Sequence, residues 1–200
     1  MQLRPGPKPK PNTRNDLIDA GIEILHAGGY SASGVQEIVA AANVPKGSFY
    51  NYFESKEAFS GEVLDVYFTR NFEYAKVLLR DERIPPRERL VIYFKERCNY
   101  HVRMSYKRGC LLGNLSLEVA DHSGLIRERL TNHFAAWTAL LEECITSAQK
   151  DGSICNPLSA STLAEFVLNA WEGALVRSRA EQNVTPLETF ERTIFCCLLV

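Results

Sequence analysis

Apolar residues recur at intervals of three and four along most of this chain, and that spacing predicts helices. Leu17, Ile18, Gly21, Ile22 and Leu25 form the stripe of a first amphipathic helix. Val35, Ile38, Val39 and Ala42 form the stripe of a second, with Ser33-Gly-Val-Gln36 reading as a capping box that opens it. The tight turn Asn43-Val-Pro-Lys46 leads into a short third helix anchored by Phe49 and Phe53. Ser55 then caps a long run from Lys56 to about Arg80, halted before Pro85-Pro86, and Arg87 to about Met104 forms the next. The segment 109–120, glycine-flanked, reads as a loop entering a short helix; Leu125 to Lys150 is long and amphipathic and stops at Asp151-Gly152. Ser159 or Ser161 opens a helix from Leu163 to about Glu181, and Thr185-Pro-Leu-Glu188 reads as a capping box opening the last helix, which runs to residue 200. No strand-like alternation lies between these runs, so the expected fold class is all-α.

The chemistry concentrates between Val44 and Glu57. Lys46, Ser48, Tyr50, Asn51 and Tyr52 place donors around one short helix whose other side is Phe49 and Phe53, and Gly47 keeps its backbone approachable. Burial of Tyr50, Asn51 or Tyr52 would strand their polar ends, so they are expected on the outer face. Two short helices joined by a tight turn make a helix-turn-helix, whose second helix enters the major groove of double-stranded DNA. Upstream, Arg4, Lys8, Lys10 and Arg14 face no acid, and Pro5, Pro7, Pro9 and Pro11 keep the segment extended, as suits a phosphate or minor-groove contact.

Residues 13–60 resemble the DNA-binding domain of the TetR family of one-component bacterial repressors. The likeness lies in the first amphipathic helix, the Gly29-Tyr30 step, the second helix, the Lys46-Gly-Ser-Phe-Tyr50 recognition helix, and then Phe53, Lys56 and Glu57. The resemblance implies that Tyr50 and Lys56 hold phosphates and that Gln36 reaches a base. It divides the chain into a basic arm (1–12), a DNA-binding domain (13–60) and a helical regulatory and dimerisation domain (61–200). It also implies a homodimer, formed through the last two helices, that reads a palindromic operator. The run Leu163, Ala164, Phe166, Val167, Ala170, Trp171, Ala174, Leu175, apolar over more than one face and interrupted by Gly173, suits that role.

Bulk composition excludes several classes. A net charge of −1 over 200 residues rules out a protein that coats nucleic acid by overall positive charge. No run reaches the roughly 18 apolar residues of a membrane span, and no charged-then-apolar leader precedes the first helix, so a soluble cytoplasmic protein is expected. The six cysteines lack paired zinc spacing and read as thiols. Cys197-Leu-Leu-Val200 spells a prenylation box, but Ile194, Phe195, Leu198 and Leu199 read better as one apolar helix face. There is no cofactor motif, metal-ligand cluster or nucleophile elbow, and His101, His122 and His133 sit in no catalytic pattern. A cysteine-dependent enzyme or a bare interaction module is therefore the weaker alternative.

A regulator needs an input. Tyr106-Lys-Arg-Gly-Cys-Leu-Leu-Gly-Asn-Leu-Ser-Leu-Glu118 and Trp171-Glu-Gly-Ala-Leu-Val-Arg-Ser-Arg179 are similar to the TetR subgroup of NemR and AcuR. That subgroup responds to reactive electrophiles or small unsaturated acids, which implies a small-molecule inducer with Cys110 as sensor. By the same likeness, a basic residue at Arg179 helps poise the cysteine or an acidic ligand. Asn114, Trp137 and Trp171 are the further candidates for the ligand site. Lys107, Arg108 and the helix start after Cys110 are expected to favour the thiolate. The helix from Lys56 to Arg80 joins head to body, so tilting it is expected to change half-site spacing.

Overall fold

The computed structural model describes residues 12–200. The helices are α1 (Thr13–Ala32), α2 (Val35–Ala41), α3 (Lys46–Tyr50), α4 (Lys56–Leu79), α5 (Pro86–Arg103), α6 (Leu111–Glu118), α7 (Gly124–Lys150), α8 (Ala160–Glu181) and α9 (Thr185–Thr193). No strand occurs among the described residues, and the fold is all-α with a helix-turn-helix head on a helical body. The basic-arm expectation falls on residues outside those described, except at Arg14. That residue lies in the first turn of α1, ion-paired to Glu62 of α4, with its guanidinium 5.5 Å from the Phe53 ring centre.

The predicted stripes become the core. Leu17, Leu25, Ile38, Phe49 and Phe59 are fully buried in the head, and Leu64, Phe94, Leu111, Leu141 and Trp171 in the body. In the head, the Phe49, Phe53 and Phe59 rings pack with centres 4.8–5.4 Å apart, welding the start of α4 to the recognition helix. Ser55 caps α4 by accepting the Ala58 N–H at 3.0 Å, and Ser159 caps α8 by accepting that of Thr162 at 3.1 Å.

Both predicted capping boxes are absent. Gly34 stands at the N-cap of α2, while the Ser33 hydroxyl donates backwards to the Gly29 carbonyl at 2.5 Å. At α9 the N-cap is Val184, and Asn183 Oδ1 accepts the Thr185 N–H at 3.0 Å, although Pro186 does occupy the first turn as expected. In each case a nearer hydrogen-bond partner takes the hydroxyl or the N–H that the box would have used. The final helix also stops short. From Ile194 the chain widens into one turn of i→i+5 bonding, closed by Leu199 N–H to Ile194 O at 2.7 Å. Arg87 donates to the Phe195 and Leu199 carbonyls, both at 2.7 Å, and ties that turn to α5. Ile194 and Leu199 are buried, while Phe195 and Leu198 are half-buried.

One backbone position controls how head meets body. Gly29 breaks α1 with φ 81° and ψ 177°, a region closed to residues with a side chain. The Glu118 carboxylate at the end of α6 fills the space where a Cβ would stand: its Cδ is 2.8 Å from that point, and its Oε2 accepts the Ser31 N–H at 3.1 Å. Gly29→Ala combines strain with collision and is expected to cost on the order of 1–3 kcal/mol of stability, read as a lowered urea midpoint. Gly47→Ala is the matched control. A Cβ there meets nothing within 4 Å, and the substitution should be neutral or slightly stabilising.

Candidate nucleic-acid interface and sensor site

Five residues of helix are too few to be stable in isolation, so α3 is shaped by what it rests on. Phe49 and Phe53 are buried at 0% and 2% exposure, while Tyr50 and Tyr52 remain 56% and 36% exposed. Lys46, Gly47 and Asn51 are exposed, Ser48 is half-buried, and Gln36 is exposed on α2. The apolar stripe is thus sealed against α2 and α4, and hydroxyls, an amide and an ammonium are left on the outer side. Lys56 differs from its neighbours. Its Nζ donates to the Tyr30 carbonyl at 2.6 Å and lies 4.2 Å from the Tyr30 ring centre, and its pKa is lowered by burial. It clamps the end of α1 onto α4, leaving at most its remaining N–H groups for a phosphate.

Cys110 occupies the N-cap of α6 and is 6% exposed. The surroundings of Cys110 work against the expected thiolate. Burial pushes the thiol well above its usual range, and the neighbouring Glu172 carboxylate pushes the same way, accepting the S–H. The N–H groups of Leu112 and Gly113 pull downward, as a helix start should, but are outweighed. Arg108 does not help, because it turns to α1 and pairs with Glu23 at 2.7 Å. Gly113 makes the dyad possible: a Cβ there would lie 2.6 Å from Glu172 Oε2. Burial raises the Glu172 carboxyl to about 7, and its Oε1 has no hydrogen-bond partner.

Cys110 separates two cavities. A cleft of about 100 Å³ on one side brings it together with Asn114, Glu172 and Arg179. Asn114 bridges there, donating to the Arg108 carbonyl at 2.8 Å and accepting from Arg179 Nη1 at 3.1 Å. A narrow cavity of about 20 Å³ on the other side is walled by Tyr67, Phe72, Tyr93, Arg97 and Trp137. Trp137 stands on that wall, with its indole N–H on the Tyr93 hydroxyl at 3.1 Å. Trp171 lines neither cavity. It is fully buried among Phe94, Phe190 and His101, because α8 turns that face into the aromatic core. Sequence reasoning passed over Glu172, Arg97, Tyr67 and Tyr93. The signal available was a charged residue on an otherwise apolar helical face, as at Glu172 between Trp171 and Leu175.

The remaining thiols are structural or superficial. All six cysteines are free; burial pushes Cys98 and Cys144 up to about 12, while Cys155, Cys196 and Cys197 are exposed. His133 is engaged with Asp65 at 2.8 Å, and His26 with the Gly109 carbonyl at 2.9 Å. No His, Cys, Asp or Glu cluster suited to a metal occurs among the described residues, and none of their helices is long and apolar enough to cross a membrane.

A sealed recognition helix with an outward donor face, set on a helical body, defines a helix-turn-helix transcriptional regulator. Residues 17–63 match the family described as bacterial regulatory proteins, tetR family, and residues 86–194 match the tetracyclin repressor-like C-terminal domain. The chain belongs to the TetR family of transcriptional regulators, which are not enzymes. It is 40% identical to the HTH-type transcriptional repressor DhaR of Mycobacterium sp. (strain GP1) over 93% of this chain and 92% of the relative. It is 36% identical to the transcriptional regulator AcuR of Cereibacter sphaeroides over 88% of this chain and 81% of that one. Among solved structures it is similar to regulatory protein TetR from Rhodobacter sphaeroides, with TM-score 0.88, 33% identity and coverage of 93% and 98%. It is also similar to reduced NemR of Escherichia coli, with TM-score 0.86, 27% identity and coverage of 92% and 95%.

The raised Glu172 carboxyl has a pH signature. The folded protein holds this proton more tightly than the unfolded chain, so stability falls as pH rises from the unfolded value of 4.5 through the folded value of about 7. The total effect is on the order of 3 kcal/mol at most. Glu172→Gln removes it, so the stability difference between variant and wild type should move in the variant's favour between pH 5 and pH 8. Parallel urea-midpoint curves over that range would show that Glu172 has no raised pKa.

Proposed function

We propose that the protein is a homodimeric repressor that binds a palindromic operator and is released from it by a small-molecule inducer acting at the Cys110 site. The observation that carries the DNA reading is the recognition helix itself, with Phe49 and Phe53 sealed and Lys46, Ser48, Tyr50, Asn51 and Tyr52 turned outward. In this reading Tyr50 and Lys46 hold phosphates, the backbone at Gly47 lies close to the duplex, and Gln36, Asn51 and Tyr52 meet base edges or the neighbouring backbone. Lys56 sets the α1–α4 angle as well as offering a donor to phosphate. Pairing two heads through the exposed Phe166, Gly173 and Val176 and the half-buried Ala170 of α8, with α9 beside them, sets the recognition helices about one helical turn of DNA apart. The domain division at residues 12 and 60 follows from this assignment, with residues 61–200 serving regulation and dimerisation.

Two inducer chemistries suit the site. An electrophile, for instance an α,β-unsaturated carbonyl, forms a carbon–sulfur bond to Cys110; the thiol proton passes to Glu172 and from there to the α-carbon. A small unsaturated acid instead enters the aromatic cavity reversibly. Either one wedges against α4, whose Tyr67, Phe68, Asn71 and Phe72 wall that cavity, and alters half-site spacing.

Lys46→Ala should lower operator affinity at every sequence variant alike and reduce the slope of log affinity against log salt by about one. Tyr50→Phe should weaken binding with no change in folding, as measured by duplex titration across 50–200 mM salt. On duplex DNA from upstream of the protein's own gene, an electrophile should dissociate wild type and leave Cys110→Ser bound. Equal release of the two proteins would make Cys110 a pocket wall only.

A further inference from the structure

We propose that the corner between α6 and α7 positions the reading head for operator binding, with Glu118 and Ser123 as positioning residues that act through Lys56 and Glu57 at the start of α4. This deepens the DNA reading above, on which it rests, and it requires no inducer.

The corner, residues 119–123, is closed on itself. The Val119 carbonyl accepts the N–H groups of His122 and Ser123, both at 2.9 Å, and Arg127 of α7 donates to the Ala120 carbonyl at 2.8 Å. From each end one side chain reaches the head. At the first, the Glu118 carboxylate accepts the Ser31 N–H at 3.1 Å and fills the space beside Gly29. At the second, the Ser123 hydroxyl donates to Glu57 while accepting the Ile126 N–H at 3.1 Å, so one hydroxyl both caps α7 and ties it to α4. Ser123 is buried, which keeps water from competing for that bond.

The two ties converge on adjacent residues. Lys56 Nζ, bonded to the Tyr30 carbonyl, is lowered in pKa by burial, and the charge of Glu118 works in the opposite direction to hold the ammonium. Glu57 follows it in the chain. Within the same turn Phe59 packs on Phe49 and Phe53, with ring centres 5.0 and 4.8 Å apart, so whatever fixes the start of α4 also fixes the recognition helix. Further along, α4 lies close against α7: a Cβ at Gly61 would stand 2.8 Å from Leu125 Cδ2, and Asp65 bonds Arg129 and His133. Hydrogen bonds to base edges weaken steeply when misaligned, so a short recognition helix tolerates little tilt. By charge alone, a carboxylate near the reading head opposes phosphate. Charge and positioning therefore predict opposite signs when Glu118 is removed.

The test is titration of the full-length protein, at one salt concentration, against duplex DNA from upstream of its own gene and a scrambled duplex of equal length. Glu118→Ala is expected to lower affinity for the upstream duplex on the order of tenfold and to leave the scrambled duplex bound as well as before or slightly tighter. Glu118→Gln keeps an oxygen for the Ser31 N–H and the bulk beside Gly29, so it should regain most of the loss. Ser123→Asp keeps a capping acceptor for α7 but sets a carboxylate against Glu57. It should reduce the same preference, and adding Glu57→Gln, which supplies a donor, should restore it. Tighter binding of the upstream duplex by both Glu118 variants would make that carboxylate a bystander charge and overturns the proposal. Equal losses on the two duplexes, the mark of unfolded protein, or a Gln variant no better than the Ala one, overturn it as well. If Glu118→Ala fails to fold, Ser123→Asp decides: an unchanged preference, or a loss that Glu57→Gln does not reverse, sinks the idea. Wild type that prefers neither duplex fails the DNA reading and this proposal together, whereas a wild-type preference kept by every variant fails this proposal alone.

Discussion

Helix α6 is pinned across α1, and the rest of the architecture is arranged around that contact. At its entrance the His26 ring bonds the Gly109 carbonyl and Arg108 pairs with Glu23; at its exit Glu118 sits in the gap left by Gly29 and holds the Ser31 N–H. Cys110 lies immediately inside the first of these fastenings. The candidate sensor is therefore bolted to the first helix of the reading head, and α4 is a second, parallel connection between the same two parts. A change in how α6 packs cannot be absorbed locally, because close-packed interiors have little free volume to take it up.

The sequence was most legible where helix periodicity governs. The stripes of α1, α4, α7 and α8 are read directly from apolar spacing, and the outer face of α3 from the cost of burying polar tips. It was least legible where two remote segments share a hydrogen bond. Ser33 and Thr185 fit the capping-box spacing, yet Gly29 and Asn183 offered partners that spacing cannot reveal. The same limit explains Cys110. Its local neighbours, two cations and a helix start, argue for a thiolate, whereas Glu172, 62 positions later, and the burial that α6 and α8 impose together decide for the thiol. Trp137 and Trp171 looked alike as aromatic walls, and only the rotation of each helix separates the one beside the cavity from the one in the core.

The thiol state changes what an electrophile sensor would require. An exposed thiolate reacts with whatever arrives, whereas a buried thiol hydrogen-bonded to a carboxyl that itself titrates near neutrality reacts only with molecules small enough to enter. Selectivity then comes from the cavity rather than from intrinsic nucleophilicity. Its walls are aromatic and carry a single cation, Arg97. Reversible and covalent inducers would thus share one entrance filter, with Cys110 at its inner end.

The strength of the coupling can be bounded. Turning a two-state equilibrium from 1:99 to 99:1 takes about 5.5 kcal/mol of differential binding. Arg108–Glu23 is a partly exposed pair, worth about 0–1 kcal/mol, and cannot carry that alone. The Glu118 wedge beneath Gly29 differs in kind, since a carboxylate filling the site of a missing Cβ is a steric fit that moves only if the helix moves. In a homodimer each subunit would contribute once, halving what a single cavity must supply. Packing at the α1–α6 and α1–α4 contacts, rather than the surface ion pairs, is then the element able to convert an occupied cavity into a displaced recognition helix.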